Sequence, residues 1–244
     1  LPNITSQDEL NELHDSFENL QTSLVNYMKE LKLTTANKER IESELQIARS
    51  IQMGMLPKSF PAFPEREDIS LSAKLVPAKE VGGDLYDFFI EDDKFYFIIG
   101  DVSGKGIPAS LVMAVTFRLF RSVSSHCDKP EDIITSLNNS LSDGNEFNMF
   151  CTAFIGILDL KTGHLDYCNA GHNAPLVINS KGQVSEVDVI PNLPLGLFEG
   201  FKYEGQEMEL DKQMMLYMFT DGVTEAENSA HELFGDERLT TLLK

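Results

Sequence analysis

Along residues 10–55 apolar side chains recur at alternating steps of three and four: Leu10, Leu13, Phe17, Leu20, Leu24, Tyr27, Leu31, Thr34, Lys38, Ile41, Leu45, Ala48, Gln52 and Met55. Eleven of these fourteen positions are apolar, and no Pro or Gly intervenes before Gly54. The spacing therefore predicts one unbroken helix with a heptad seam, roughly 70 Å long at about 1.5 Å per residue. A strict seam is narrower than the stripe of a helix that faces a core, so the pattern predicts pairing with a second copy. A long core helix packed on the rest of the chain is the competing reading. Thr34 and Lys38 put polar groups at adjacent seam positions, where packing is weakened and register is fixed.

Pro57, Pro61 and Pro64 follow Leu56 closely and end the helix, because proline cannot continue its hydrogen-bond ladder. The body of the chain starts near residue 66. Its pattern predicts strands over 69–76, 85–90 and 94–99, with a turn at Glu91-Asp92-Asp93. Helices follow over 108–124, opened by Pro108, and over 130–141. Residues 150–160 and 164–169 read as a hairpin around Lys161-Thr162-Gly163, and 175–179 and 183–187 as another around Ser180-Lys181-Gly182. Residues 214–219 form an apolar strand with Met214, Met215 and Met218 in its core, and 232–243 a helix. Hairpins interleaved with helices predict an α+β fold with antiparallel sheets. The domain reading is a signalling helix over 1–56 and a body over 66–244.

Charge narrows the function classes. Thirty-nine acidic against twenty basic residues give a net charge of −19, which repels a phosphate backbone and argues against nucleic acid as a partner. Cys127, Cys151 and Cys168 make no CxxC pair and are odd in number, a pattern that fits a reducing compartment and offers no zinc knuckle. No run approaches the ~18 apolar residues of a membrane span. The chain opens at Leu1-Pro2 without an initiator Met and is read as an excised piece of a longer protein.

Three aspartates share a setting suited to chemistry. Asp84 follows Gly82-Gly83, Asp101 follows the apolar run Phe95 to Gly100, and Asp221 lies between the apolar run ending at Thr220 and Gly222. Strand ends bring side chains to the rim of a sheet, and glycine lets backbone approach a ligand closely. An oxygen-only set suits hard cations such as Mg²⁺ or Mn²⁺; ordinary Asp-Gly turn chemistry is the plainer alternative. Gly82-Gly83-Asp84 is followed by Leu85-Tyr86 rather than the Glu-Phe of a diguanylate cyclase hairpin. The run Gly100 to Gly106 lacks the spacing of a phosphate loop. His172 reads mainly as a structural hydrogen bonder, Asp87 as pointing to the face opposite Asp84, and Lys79 and Lys105 as solvated cations with phosphate contact as the alternative.

Taken together, Glu80-Val-Gly-Gly-Asp84-Leu-Tyr-Asp87-Phe, Gly100-Asp101-Val-Ser-Gly-Lys-Gly106, Asn169-Ala-Gly-His-Asn-Ala-Pro175 and Thr220-Asp221-Gly-Val-Thr-Glu-Ala226 resemble a known family in order and spacing. It is the bacterial metal-dependent serine/threonine protein phosphatases of the PPM class, in the branch of stage II sporulation protein E and the sigma-B regulator phosphatases. The resemblance covers about residues 45–244, including Ala48-Arg49-Ser50-Ile51-Gln52 and Leu56-Pro57. A shorter stretch, from Asp8-Glu9-Leu10 through Leu24, resembles the tail of a HAMP domain. The resemblance implies two antiparallel β-sheets sandwiched by helices, with two Mn²⁺ or Mg²⁺ ions between the sheet ends. Asp84 and Asp101 would bridge the ions, the Val102 carbonyl would add a ligand, and Asp221 would complete one shell. Such ions activate water for attack at phosphorus and hold the phosphoryl oxygens.

The implied substrate is a phosphorylated anti-sigma-factor antagonist of the STAS fold. The implied setting is the cytoplasmic part of an inner-membrane-anchored sensor, attached through a segment upstream of Leu1 and dimeric through the helix. The family pattern continues into an Asp-Asp-x-Thr strand beyond the Phe234-Gly-Asp-Glu-Arg238 helix, whereas this sequence stops at Lys244; the expectation is a domain incomplete at its C-terminus, short of one ligand. Ser103 stands where eukaryotic relatives carry His. The alternative function is a catalytically incomplete, dimeric interaction module.

Overall fold

The computed structural model describes residues 9–244, so the first residues of the HAMP-like stretch lie outside the described part. The chain divides into two compact units, residues 1–49 and 50–244. Helix α1, Glu9–Met55, is a single 47-residue element, as the absence of Pro and Gly before Gly54 demands. Its seam side chains Leu13, Phe17, Leu20, Leu24, Leu31 and Ile41 are exposed. The seam does not run to its expected end: Gln52 is buried, and Met53 and Leu56 pack into the core of the second unit.

That second unit contains a five-stranded antiparallel sheet, in order β1-β2-β3-β4-β7, and a three-stranded one, β6-β5-β8. The first sheet comprises β1 (Leu85–Glu91), β2 (Lys94–Val102), β3 (Cys151–Asp159), β4 (His164–Ala170) and β7 (Gln206–Glu209). The second holds β5 (Leu176–Ile178), β6 (Val184–Glu186) and β8 (Met215–Tyr217). Helices α2 (Ile107–Ser124) and α3 (Pro130–Ser142) pack on the first sheet. Short α4 (Asp221–Thr224) and α5 (Gly235–Leu242) follow the second. The hairpin turn of β1 and β2 sits at Asp92 and Asp93, both at positive φ (47° and 65°), the conformation that matches strand twist in a two-residue turn.

Strand β2 explains the layering. Phe95 and Phe97 face a core shared with Val177 and Val187, between the sheets. Tyr96 and Ile98 face the other way, into a core with Met113, Phe117, Phe120 and Ile133 of the helices. A strand buried on both faces must read as a continuous apolar run, and Phe95-Tyr96-Phe97-Ile98-Ile99 does. A third cluster, Leu176, Phe219 and Leu239, seats α5 beyond the second sheet. The order is helices, sheet, sheet, helix, the sandwich that the resemblance implies. By length and mean hydropathy alone α2 would pass for a membrane-crossing helix, yet Ala109, Met113, Phe117 and Phe120 on one side of it are core residues.

Three expectations need correction. Residues 69–76 form no strand: their side chains alternate between half-buried and exposed, with Ile69, Leu71 and Leu75 turned to the cores, but the backbone joins no ladder. The helix expected over 232–243 begins only at Gly235. Met214 and Met218 are partly buried, while Met215 is exposed, because the strand alternates and its second face lacks cover at that point.

Candidate metal centre at the strand ends

The first two aspartates meet through local register. In the β1–β2 hairpin Leu85 pairs with Gly100, so Asp84 and Asp101, one step beyond, come opposite each other at the open end. Gly83 tightens the approach: a Cβ there would lie 2.6 Å from the Val102 carbonyl oxygen and 3.1 Å from Asp101 Oδ1, inside van der Waals contact. Only glycine leaves that carbonyl open beside the carboxylate. The third aspartate arrives from far along the chain, as the first residue of α4 after β8. Thr220, just before it, lowers the Asp84 pKa against the effect of burial, and Asp221 raises those of Asp84 and Asp101. The three carboxylates therefore share one site.

Electrostatics report the crowding. Burial first, then the charges of Asp84 and Asp221, push the Asp101 carboxyl up to about 7, against smaller lowering by the Val102 backbone N–H and the Lys105 ammonium. Asp84 is raised as well, chiefly by burial, with Asp221 adding and the Thr220 hydroxyl opposing. Like charges held together in a partly desolvated site call for a compensating cation. Three carboxylates and a backbone carbonyl, with no imidazole or thiolate offered, fit a hard divalent ion. Lys105 is exposed and near enough to act on Asp101; Lys79 is exposed too.

His172 lies behind the site rather than in it. Its Nδ1 is 2.9 Å from Thr152 Oγ1, and Thr152 Oγ1 is 3.3 Å from the Asp101 carbonyl. The Phe219 carbonyl acts on the ring as well, but burial dominates and pushes its pKa down to about 4. The imidazole is thus neutral, held through Nδ1 to the strand of Asp101, with its buried Nε2 lacking a hydrogen-bond partner among the described residues. Asn169 locks the loop, accepting the His172 N–H (2.8 Å) and donating to its carbonyl (2.9 Å). That closed ring explains the Asn-Ala-Gly-His spelling. Asp87, on the opposite face as expected, is buried and ion-paired to Arg121, which also donates to the Phe88 carbonyl at 2.9 Å. Ser103 is tied to Phe150 through its hydroxyl and its N–H.

Sequence reading missed the support of the Gly82-Gly83 loop. Gln52 Nε2 donates to the Gly82 carbonyl (2.7 Å) and Gln52 Oε1 accepts the Gly82 N–H (3.2 Å). Seen along the chain, Gln52 is only a polar break in a seam. Gln52→Leu keeps the bulk and removes both bonds, and is expected to weaken Mn²⁺ binding by about tenfold, in line with loss of an outer partner of a metal site. Calorimetric titration checks this; unchanged affinity would mean that the loop supports itself.

Residues 91–244 match the family described as Stage II sporulation protein E (SpoIIE). The chain is 29% identical over 265 residues to Protein IcfG of Synechocystis sp., covering 97% of this chain and 40% of that one. It is 29% identical over 187 residues to Phosphoserine phosphatase RsbU of Bacillus subtilis, covering 77% and 55%. It therefore spans about half the length of the curated relatives it matches. Among solved structures, the SiaA-PP2C domain of Pseudomonas aeruginosa superposes with a TM-score of 0.71 at 20% identity, covering 85% of this chain and 83% of that one. The PP2C phosphatase domain of SpoIIE from Bacillus subtilis, solved with a fragment of its regulatory domain, gives 0.54 at 25% identity, covering 65% and 46%.

Proposed function

The chain belongs to the stage II sporulation protein E family of PP2C-type phosphatase domains, and on that premise we propose that it is a metal-dependent phosphoserine/phosphothreonine protein phosphatase of bacterial signalling. The observation that carries the reading is the convergence of Asp84, Asp101 and Asp221 beside the Val102 carbonyl, with Asp101 pushed up to about 7 by its neighbours and its burial. These four groups would hold Mn²⁺ or Mg²⁺. When bound, such ions lower the pKa of a water toward neutrality and offset the charge of a phosphoryl group. The protein's own contribution is position: Gly83 leaves the carbonyl accessible, Thr220 stands beside Asp84, and Thr152 ties His172 to the Asp101 strand. The Lys105 ammonium at the mouth of the site offers a contact for a phosphate oxygen.

The substrate in this reading is a phosphorylated STAS-fold antagonist, which fits the likeness to a protein named a phosphoserine phosphatase. Residues 1–56 serve as a HAMP-tail-like and coiled-coil signalling segment that pairs with a second copy, and 66–244 as the phosphatase domain, incomplete at its C-terminus. The parent is a sensor anchored in the inner membrane with this part in the cytoplasm. The chain is expected to release phosphate from a serine-phosphorylated STAS protein in Mn²⁺, to fall to the blank rate in excess chelator, and to recover when Mn²⁺ is restored. Retention of the phosphoprotein without turnover in saturating Mn²⁺ would replace the enzyme with the interaction module.

A further inference from the structure

A second group of ligating side chains lies at the other end of the five-stranded sheet. Strand β2 begins with Lys94 opposite Asp159 there, whereas Asp101 pairs with Thr152 at the metal centre. In the adjoining β4–β7 pair, His164 stands opposite Glu209 and Asp166 opposite Glu207. Residues two apart on a strand share a face, as do paired residues across the ladder, so all four side chains project together. Leu165 and Met208, between them, turn to the core between the sheets.

We propose that His164, Asp166 and Glu207 form a second metal site, for Zn²⁺ or a divalent ion of similar character, with Glu209 orienting the imidazole. His164 Nδ1 lies 2.7 Å from Glu209 Oε1, a hydrogen bond that commits the ring proton to Nδ1 and leaves the Nε2 lone pair free for a ligand. Nε2 is 3.5 Å from Asp166 Oδ1 and 3.7 Å from Glu207 Oε2. Those separations are long for hydrogen bonds. They suit ligands of one ion, since bonds of about 2.0–2.2 Å at tetrahedral angles put donor atoms about 3.3–3.6 Å apart. All three ligand atoms fall within 4.8 Å of one another, so closing on an ion needs only small rotations.

The donor set also sets the chemistry. An imidazole with two carboxylates favours zinc or its neighbours over Mg²⁺, which prefers oxygen alone. Glu209 first, with Asp166 and Glu207, holds the His164 pKa above its ordinary value, so the local field already favours a positive charge at this spot. His164, Asp166 and Glu209 border an open groove of about 410 Å³, from which water can fill the ion's remaining positions. An ion here would cross-link β7, an edge strand of four residues, to β4.

The site is independent of the phosphatase centre, and the test separates them. Zinc is titrated into the full chain in excess Mg²⁺, followed by calorimetry and by the imidazole ¹⁵N resonances. One zinc equivalent is expected to move the His164 Nε2 signal, to vanish in His164→Gln, to weaken by about tenfold in Glu209→Gln, and to persist in Asp101→Asn. Glu207→Gln, at a largely exposed side chain, removes a ligand without touching the core and should also lose that equivalent. A His164 signal unmoved at saturating zinc, or unchanged zinc stoichiometry and affinity in His164→Gln and Glu207→Gln, would overturn the site.

Discussion

Replacing Asp101 with Asn is expected to cut metal-dependent phosphate release by about a hundredfold or more and, in the same protein without metal, to raise the melting temperature at pH 8. Both effects come from one carboxylate. It is the group most strongly opposed by its surroundings, since burial and the charges of Asp84 and Asp221 hold it protonated up to about 7. In the unfolded chain the same group titrates near 4. A folded-state pKa raised above the unfolded value means that the native protein binds the proton more tightly, so this contribution to stability is complete below about pH 4 and is lost as pH climbs to about 7. Asparagine keeps the shape and never ionises. Metal-free wild type and variant should therefore melt alike below about pH 4, diverge as pH climbs to about 7 and stay apart above it, at about 2–4 °C per kcal/mol for a chain of this size. Mn²⁺ should reverse the order, because a ligand that binds only the native wild type stabilises it by mass action. Equal melting at pH 8 in chelator, together with turnover within about tenfold of wild type, would remove Asp101 from the centre.

How far the sequence reached depends on whether a residue's partner was near in the chain. The run Phe95 to Ile99 could be read as a strand because it is buried on both faces, and the meeting of Asp84 with Asp101 follows from a two-residue turn at Asp92-Asp93. Asp221 was identified as a strand-end acid, but its place beside Asp84 depends on how the second sheet is laid against the first. Strand β7 was missed. Gln206-Glu207-Met208-Glu209 is nearly all polar because an edge strand pairs on one side and shows its charges to solvent. Residues 69–76 failed in the opposite sense: period-two burial was there to read, whereas ladder pairing is a property of a neighbour. Gln52 was hidden for the same reason, its two hydrogen bonds being made to Gly82 thirty residues on.

Helix α1 supplies the other large expected effect. Along its first unit Leu20 and Leu24 are 65% and 56% exposed, and Leu13, Phe17, Tyr27, Leu31 and Ile41 continue the same line of exposed apolar side chains. Leaving such a row in water forfeits about 25 cal/mol for each Å² that a partner would cover, and isolated helices draw little stability from propensity alone. The spacing of three and four is the geometry in which a second copy supplies that cover, knobs into holes. The chain is therefore expected to be a dimer by light scattering, and Leu20→Asp with Leu24→Asp to be a monomer, because the pair would bring four carboxylates into a desolvated seam. Helix content should fall with the mass, since the rod loses the packing that holds it. The body has its own cores, so its near-ultraviolet circular dichroism should survive the substitution. An unchanged mass would move the contact between copies, if any, off this seam and leave its apolar row without the role assigned to it.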